Sequence, residues 1–117
     1  MSIWDELDHF SPEEFDYPEE MDEDFLRALD RVRDRAAVSI YVTSDYRPGD
    51  GKAHGQGVAV DITDDLESDG VLSRWRYKVL LAAFQMGFTR IGIYDKHVHL
   101  DTWDDAPQEV AWQGSSQ

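Results

Sequence analysis

A chain of 117 residues with 41% hydrophobic and 12% aromatic side chains is long enough for one packed domain and too short for two. Its formal net charge of −14 argues against nucleic acid or an anionic membrane as a partner, and the lack of cysteine rules out disulfides and thiolate metal sites. No run of roughly 18 apolar residues occurs, so no segment is expected to span a membrane.

The opening MSIWDELDHF is acidic and amphipathic and lacks the basic region of a secretory signal, so no signal peptide is expected. In FSPEEF, Ser11 can cap a short turn with Pro12 at its first position and Glu13 and Glu14 at its positive end. Trp4, Leu7, Phe10, Phe15 and Tyr17 give residues 1–20 enough apolar surface to pack down as an N-terminal segment, with His9 a surface or packing histidine. From Asp22, an N-cap, a helix is predicted to Ala36, with Phe25, Leu26, Leu29, Val32 and Ala36 on one face. Val38 to Thr43 is β-branched and aromatic and reads as a strand.

Ser44 to Gly57 is a glycine-rich loop, the type of segment that often carries function. The strand Val58 to Ile62 then turns Val58, Val60 and Ile62 to one side, and Ala59 and Asp61 to the other. A second helix is predicted from Val71 to Met86, with Leu72, Trp75, Val79, Leu80, Ala83 and Met86 inward and Gly87 closing it. Strands at Arg90–Tyr94 and His97–Thr102 flank a turn at Asp95–Lys96, and Glu109 to Gln113 reads as an edge strand. Residues 114–117 read as a frayed tail. This order predicts a single α+β domain over residues 1–117, an antiparallel sheet with two main helices packed on it.

The chemistry falls in two stretches. In HVHLD, strand alternation sends His97, His99 and Asp101 to one face and Val98 and Leu100 to the core. In HGQGVAVD, His54 and Asp61 bracket a short apolar strand, where aspartate is unfavourable unless something uses it. Two neutral imidazoles and a carboxylate are the ligand set of a catalytic zinc site with one position left for water, so His54, Asp61 and His99 are the candidate Zn²⁺ ligands. Arg47 leaves the first strand on the same side. It suits a substrate carboxylate or an oxyanion, or else pairs with one of many nearby acids. Tyr46 either lines a cleft or packs.

The run FSPEEF, TSDYRP, HGQGVAVDI and GIYDKHVHLDTW resembles the zinc D-Ala-D-Ala carboxypeptidase and L-alanyl-D-glutamate endopeptidase group, peptidase family M15, in particular its small members from tailed viruses and bacteria. The resemblance covers about Phe10 to Trp112 and implies the fold shared with the hedgehog signalling domain. It implies zinc at His54, Asp61 and His99, a catalytic or transition-state-stabilising His97, and substrate contact by Arg47. Lys52 and Ala53 depart from a Ser-x-His pattern. Lys96 stands where many members carry a carboxylate base, three residues before the last ligand, and Asp95 lies one residue further back. The candidate catalytic residues are therefore Asp95 and His97, either of which would carry the proton unless catalysis is lost.

The function expected from the resemblance is a zinc metallopeptidase, a carboxypeptidase or endopeptidase acting on cell-wall or cell-surface peptide. Its setting would be a virus, either as a virion component or in the host cytoplasm before release. The alternative is a non-catalytic zinc module, a structural or attachment piece bound to other virion proteins. Lys52, Lys78 and Lys96 are the only lysines, and acids outnumber bases 25 to 11, a balance that suits a halophilic setting as well as an ordinary acidic protein. If the salty setting is correct, the urea midpoint rises steadily from low to molar NaCl as self-repulsion is screened; a flat response would remove that reading.

Overall fold

The computed structural model describes residues 2–65 and 71–115. Three helices, α1 (Ile3–Glu6), α2 (Glu23–Ala36) and α3 (Ser73–Gln85), accompany a five-stranded sheet. Its strands are β1 (Tyr41–Ser44), β2 (Ala59–Thr63), β3 (Arg90–Tyr94), β4 (Val98–Asp101) and β5 (Val110–Gly114), in the order β1-β2-β4-β3-β5. The α+β class is as expected, and no described helix is long and apolar enough to cross a membrane.

The sheet is not wholly antiparallel. β1, β2, β4 and β3 pair antiparallel, but β5 runs parallel to β3, with Arg90 opposite Val110. Leaving β4 beside the start of β3, the chain bends through residues 102–109 and passes that same end. Arg90 Nη1 donates to Pro107 O at 2.6 Å, and Val110 N to Thr89 O at 2.9 Å. These bonds deliver β5 to the far side of β3 pointing the same way. Gly114, expected in the frayed tail, is the last residue of β5 opposite Tyr94; residues 116–117 lie outside the described part.

Strand alternation splits the sheet. Val60 faces Leu100 and Ile62 faces Val98 in the buried core, while Asp61 faces His99 and Ala59 faces Asp101 on the other side. α2 covers the core face with Phe25, Leu26, Leu29 and Val32, and Asp22 caps it by accepting from Phe25 N at 2.9 Å. α3 contributes Trp75, Val79, Ala82 and Ala83. Leu72 does not join this face: it is 69% exposed in extended conformation just before the helix, its N–H bonded to Asp64 Oδ2 at 2.9 Å.

The N-terminal segment packs as expected through Phe10 and Phe15, although Tyr17 stays 44% exposed. Ser11 N donates to Glu14 Oε2 at 2.8 Å, closing the turn Pro12–Glu14. What the sequence did not reveal is how the segment is fastened. Asp30, on the buried side of α2, accepts from the backbone N–H groups of Asp8 (3.1 Å) and His9 (2.9 Å). Removing that carboxylate orphans two sheltered donors, so Asp30→Ala should lower unfolding free energy by about 2–4 kcal/mol in a urea melt, and Asp30→Asn by less. A loss below about 0.5 kcal/mol would show that the bonds carry no weight.

Candidate metal centre

β2 and β4 lie side by side at the middle of the sheet, and their register sets Asp61 against His99 on the non-core face. His54 arrives from the loop between β1 and β2, on the one-turn 3-10 helix Ala53–Gln56. That turn needs glycine at position 55, where a Cβ would fall 1.5 Å from Asp50 O. Asp61 Oδ1 is the meeting point: His99 Nδ1 lies 3.0 Å away, His54 Nε2 3.5 Å and His97 Nε2 3.8 Å.

One ligand atom from each of His54, Asp61 and His99 lies within 4.8 Å of the others, so the trio could hold a metal ion. Tetrahedral coordination with bonds of about 2.0–2.1 Å puts ligand atoms about 3.3 Å apart, and the distances from Asp61 bracket that value. Both imidazoles are also oriented for metal. His54 Nδ1 lies 2.7 Å from the carbonyl oxygen of Asp45, which can only accept, so the proton sits on Nδ1 and the Nε2 lone pair faces Asp61. His99 is turned the other way. Its Nε2 is 2.6 Å from Asp101 Oδ2, leaving Nδ1 to the site. The residues present therefore fit a divalent ion held by nitrogen and oxygen.

A further layer was only partly legible. The alternation of HVHLD set Asp101 beside His99, but nothing in it revealed that Asp101 is 1% exposed and clamped by Arg90 Nε at 2.7 Å and Trp103 N at 3.0 Å. Trp112 of β5 lies over the Arg90 guanidinium at 5.2 Å and within 5.4 Å of the His99 ring. Its indole donates to Tyr94 Oη at 3.0 Å, and the Tyr94 ring stacks on His97 at 4.4 Å. This chain of contacts links positions too far apart in sequence for any motif to join them.

Arg47 is brought to the site. Its Nη2 donates to Asp61 Oδ2 at 2.9 Å and its Nε to Ser44 Oγ at 3.1 Å, so the guanidinium holds one carboxylate oxygen and leaves the other to the histidines. Of the two sequence readings, pairing with an acid is the one seen here, and the acid is a candidate ligand. Tyr46 is half-buried with its ring 5.6 Å from that of Tyr17. Asp95 is exposed in the turn before His97, its carbonyl accepting from Val71 N at 3.3 Å.

Burial pushes the Asp61 carboxyl up, but hydrogen bonds and charge from His54 and His99 outweigh it and hold Asp61 well below the usual carboxylate range. Burial likewise pushes His99 down, and its bonds to Asp101 and Asp61 more than reverse that. His97 is lowered, chiefly by burial, against an opposing pull from Asp61.

Comparison of the chain with protein-family models, with curated proteins and with solved structures finds no match. The site is thus read from its own geometry.

The two shifts bound the stability of metal-stripped protein from both sides. Asp61, with its lowered pKa, contributes stability that is present above about pH 4 and lost as pH falls toward its folded-state value. His99, with its raised pKa, contributes stability that is full below about pH 6.5 and lost as pH rises through its folded-state value. Asp61→Asn should flatten both limbs of a plot of urea midpoint against pH. Limbs as steep as in the unsubstituted protein would contradict the pairing.

Proposed function

We propose that the chain is a zinc-dependent metallopeptidase, a carboxypeptidase or endopeptidase acting on cell-wall or surface-layer peptide, of the D-Ala-D-Ala carboxypeptidase group with the hedgehog/DD-peptidase fold. The observation that carries this is the convergence of His54, Asp61 and His99, from a loop and two strands, on one point with both imidazoles oriented from behind. Zinc is the ion best matched to a His-His-carboxylate set. Together with the likeness of the S-x-Y-R and His-x-His segments to a viral branch of that group, this supports a role as a tailed-virus protein working at the host surface.

Zinc would supply a water of lowered pKa and a Lewis acid for the scissile carbonyl. His97 is the proton carrier. It is half-buried beside Asp61, stacked on Tyr94 and lowered in pKa, so it is neutral near pH 7 and able to take a proton and return it to the leaving amine. Asp95, next to it in the turn, favours its protonated form. Arg47 is 47% exposed in its side chain and has reach to a substrate carboxylate or oxyanion beside Asp61, with Tyr46 flanking it.

One observation favours the second reading, a non-catalytic zinc module of a virion. The position three before His99 is Lys96, exposed in the turn, so a general base at that place is replaced by a cation. Metal analysis and a turnover assay separate the two. About one zinc per chain is expected, lost in His54→Ala, Asp61→Ala and His99→Ala and retained in His97→Ala. His97→Ala should slow release of amino groups from wall or surface-layer material by about 10²–10⁴-fold. Zinc retention without any release by the wild type would leave the binding module, and a chain that takes up no zinc would sink both.

A further inference from the structure

The loop that carries His54 is held at its start by the N-terminal segment and at its end by Asp22, the N-cap of α2, through hydrogen bonds rather than packing alone. At its start, Asp45 is 2% exposed and its carboxylate accepts from two consecutive backbone N–H groups, Asp16 at 3.3 Å and Tyr17 at 2.8 Å. At its end, Gly57 O accepts from Asp22 N at 2.9 Å. Gly57 adopts φ +72°, and a Cβ there would lie 2.2 Å from Glu20 O, so the chain crosses itself too closely for any other residue. Between these points Arg47 N donates to His54 O at 3.1 Å.

Asp45 faces two ways. Its side chain holds the segment, and its backbone carbonyl is the acceptor that fixes the tautomer and direction of His54. A carboxylate this buried is tolerable only while its donors are in place. If residues 16 and 17 leave, the carboxylate loses both donors and the Asp45 backbone loses the restraint they impose, so its peptide unit is free to swing. The carbonyl then no longer holds His54 Nδ1.

We propose that Asp45 is a positioning residue that couples docking of Asp16 and Tyr17, the stretch of the N-terminal segment bonded to its carboxylate, to the metal ligand His54, so that the ion binds the docked form more tightly than the undocked one. This rests on the metal site described under the proposed function. By linkage the coupling is reciprocal: zinc strengthens the docking by the factor that docking strengthens zinc binding.

The chain supplies its own control. Asp30 grips an earlier part of the same segment by the same device, two consecutive amides on one buried carboxylate, but it does so at Asp8 and His9 and from α2 rather than from the His54 loop. The experiment is a zinc titration against a competing chelator, with amide exchange followed residue by residue, on wild type, Asp45→Asn and Asp30→Asn. In wild type, zinc should slow exchange at the Asp16 and Tyr17 amides. Asp45→Asn should weaken zinc by about 10–100-fold, the size seen when a partner behind a metal-bound histidine is lost, and abolish that protection. Asp30→Asn should lower stability and leave zinc affinity within about twofold.

An equal loss of affinity in both variants would reduce Asp45 to general stability and overturn the coupling. So would wild-type affinity in Asp45→Asn. If Asp45→Asn does not fold, the wild-type exchange decides alone: zinc that binds without slowing the two amides refutes the proposal. A wild type that binds no zinc fails earlier, at the metal site itself, and takes the coupling with it.

Discussion

The register between β2 and β4 is the constraint on which the molecule depends. One alignment buries Val60 against Leu100 and Ile62 against Val98, and the same alignment sets Asp61 beside His99. A slip by one residue would drive the aspartate into the core and the valines out of it. The hydrophobic pattern that makes the chain fold is therefore also what assembles the candidate ligands, and the cost of placing an aspartate in a fully buried strand is offset by the Arg47 guanidinium and the imidazoles around it.

That dual use explains why the centre was legible in the sequence. Alternation in VAVDI and HVHLD fixes which residues share a face, and a carboxylate and two imidazoles on the non-core face have few purposes. Helix α2 was equally plain because Asp22 caps it and one stripe of its residues is apolar. What escaped the sequence depends on partners that periodicity does not encode. The parallel entry of β5 is set by bonds from Arg90 and Thr89 to a loop about 20 residues later, and VAWQ says strand without saying direction. Asp30 and Asp45 looked like two more acids in an acidic chain, and alternation gave Asp101 its face but not its clamp. Their roles come from burial, which composition cannot show.

The sparse cations are placed accordingly. Arg27 joins the N-terminal segment to α2 through Glu6, Arg33 does so through Glu14, Arg47 restrains Asp61 and Arg90 restrains Asp101. All four are arginines, whose planar fork can grip a carboxylate with geometric definition where lysine offers a point charge. The surrounding excess of acid leaves each guanidinium a choice of partners, and the choices made here serve attachment and the centre.

The late position of β5 affects the order in which this protein can mature. Trp112 roofs the arginine that steadies Asp101, and Asp101 backs His99, yet Trp112 is synthesised after every candidate ligand. Asp16, Tyr17 and Asp22, by contrast, precede the ligands in the chain and close over the loop of His54. A nascent chain thus holds the ligands before it holds the walls behind them, and full grip on an ion waits until strands distant in synthesis have met, the kind of long-range closure that makes folding slow.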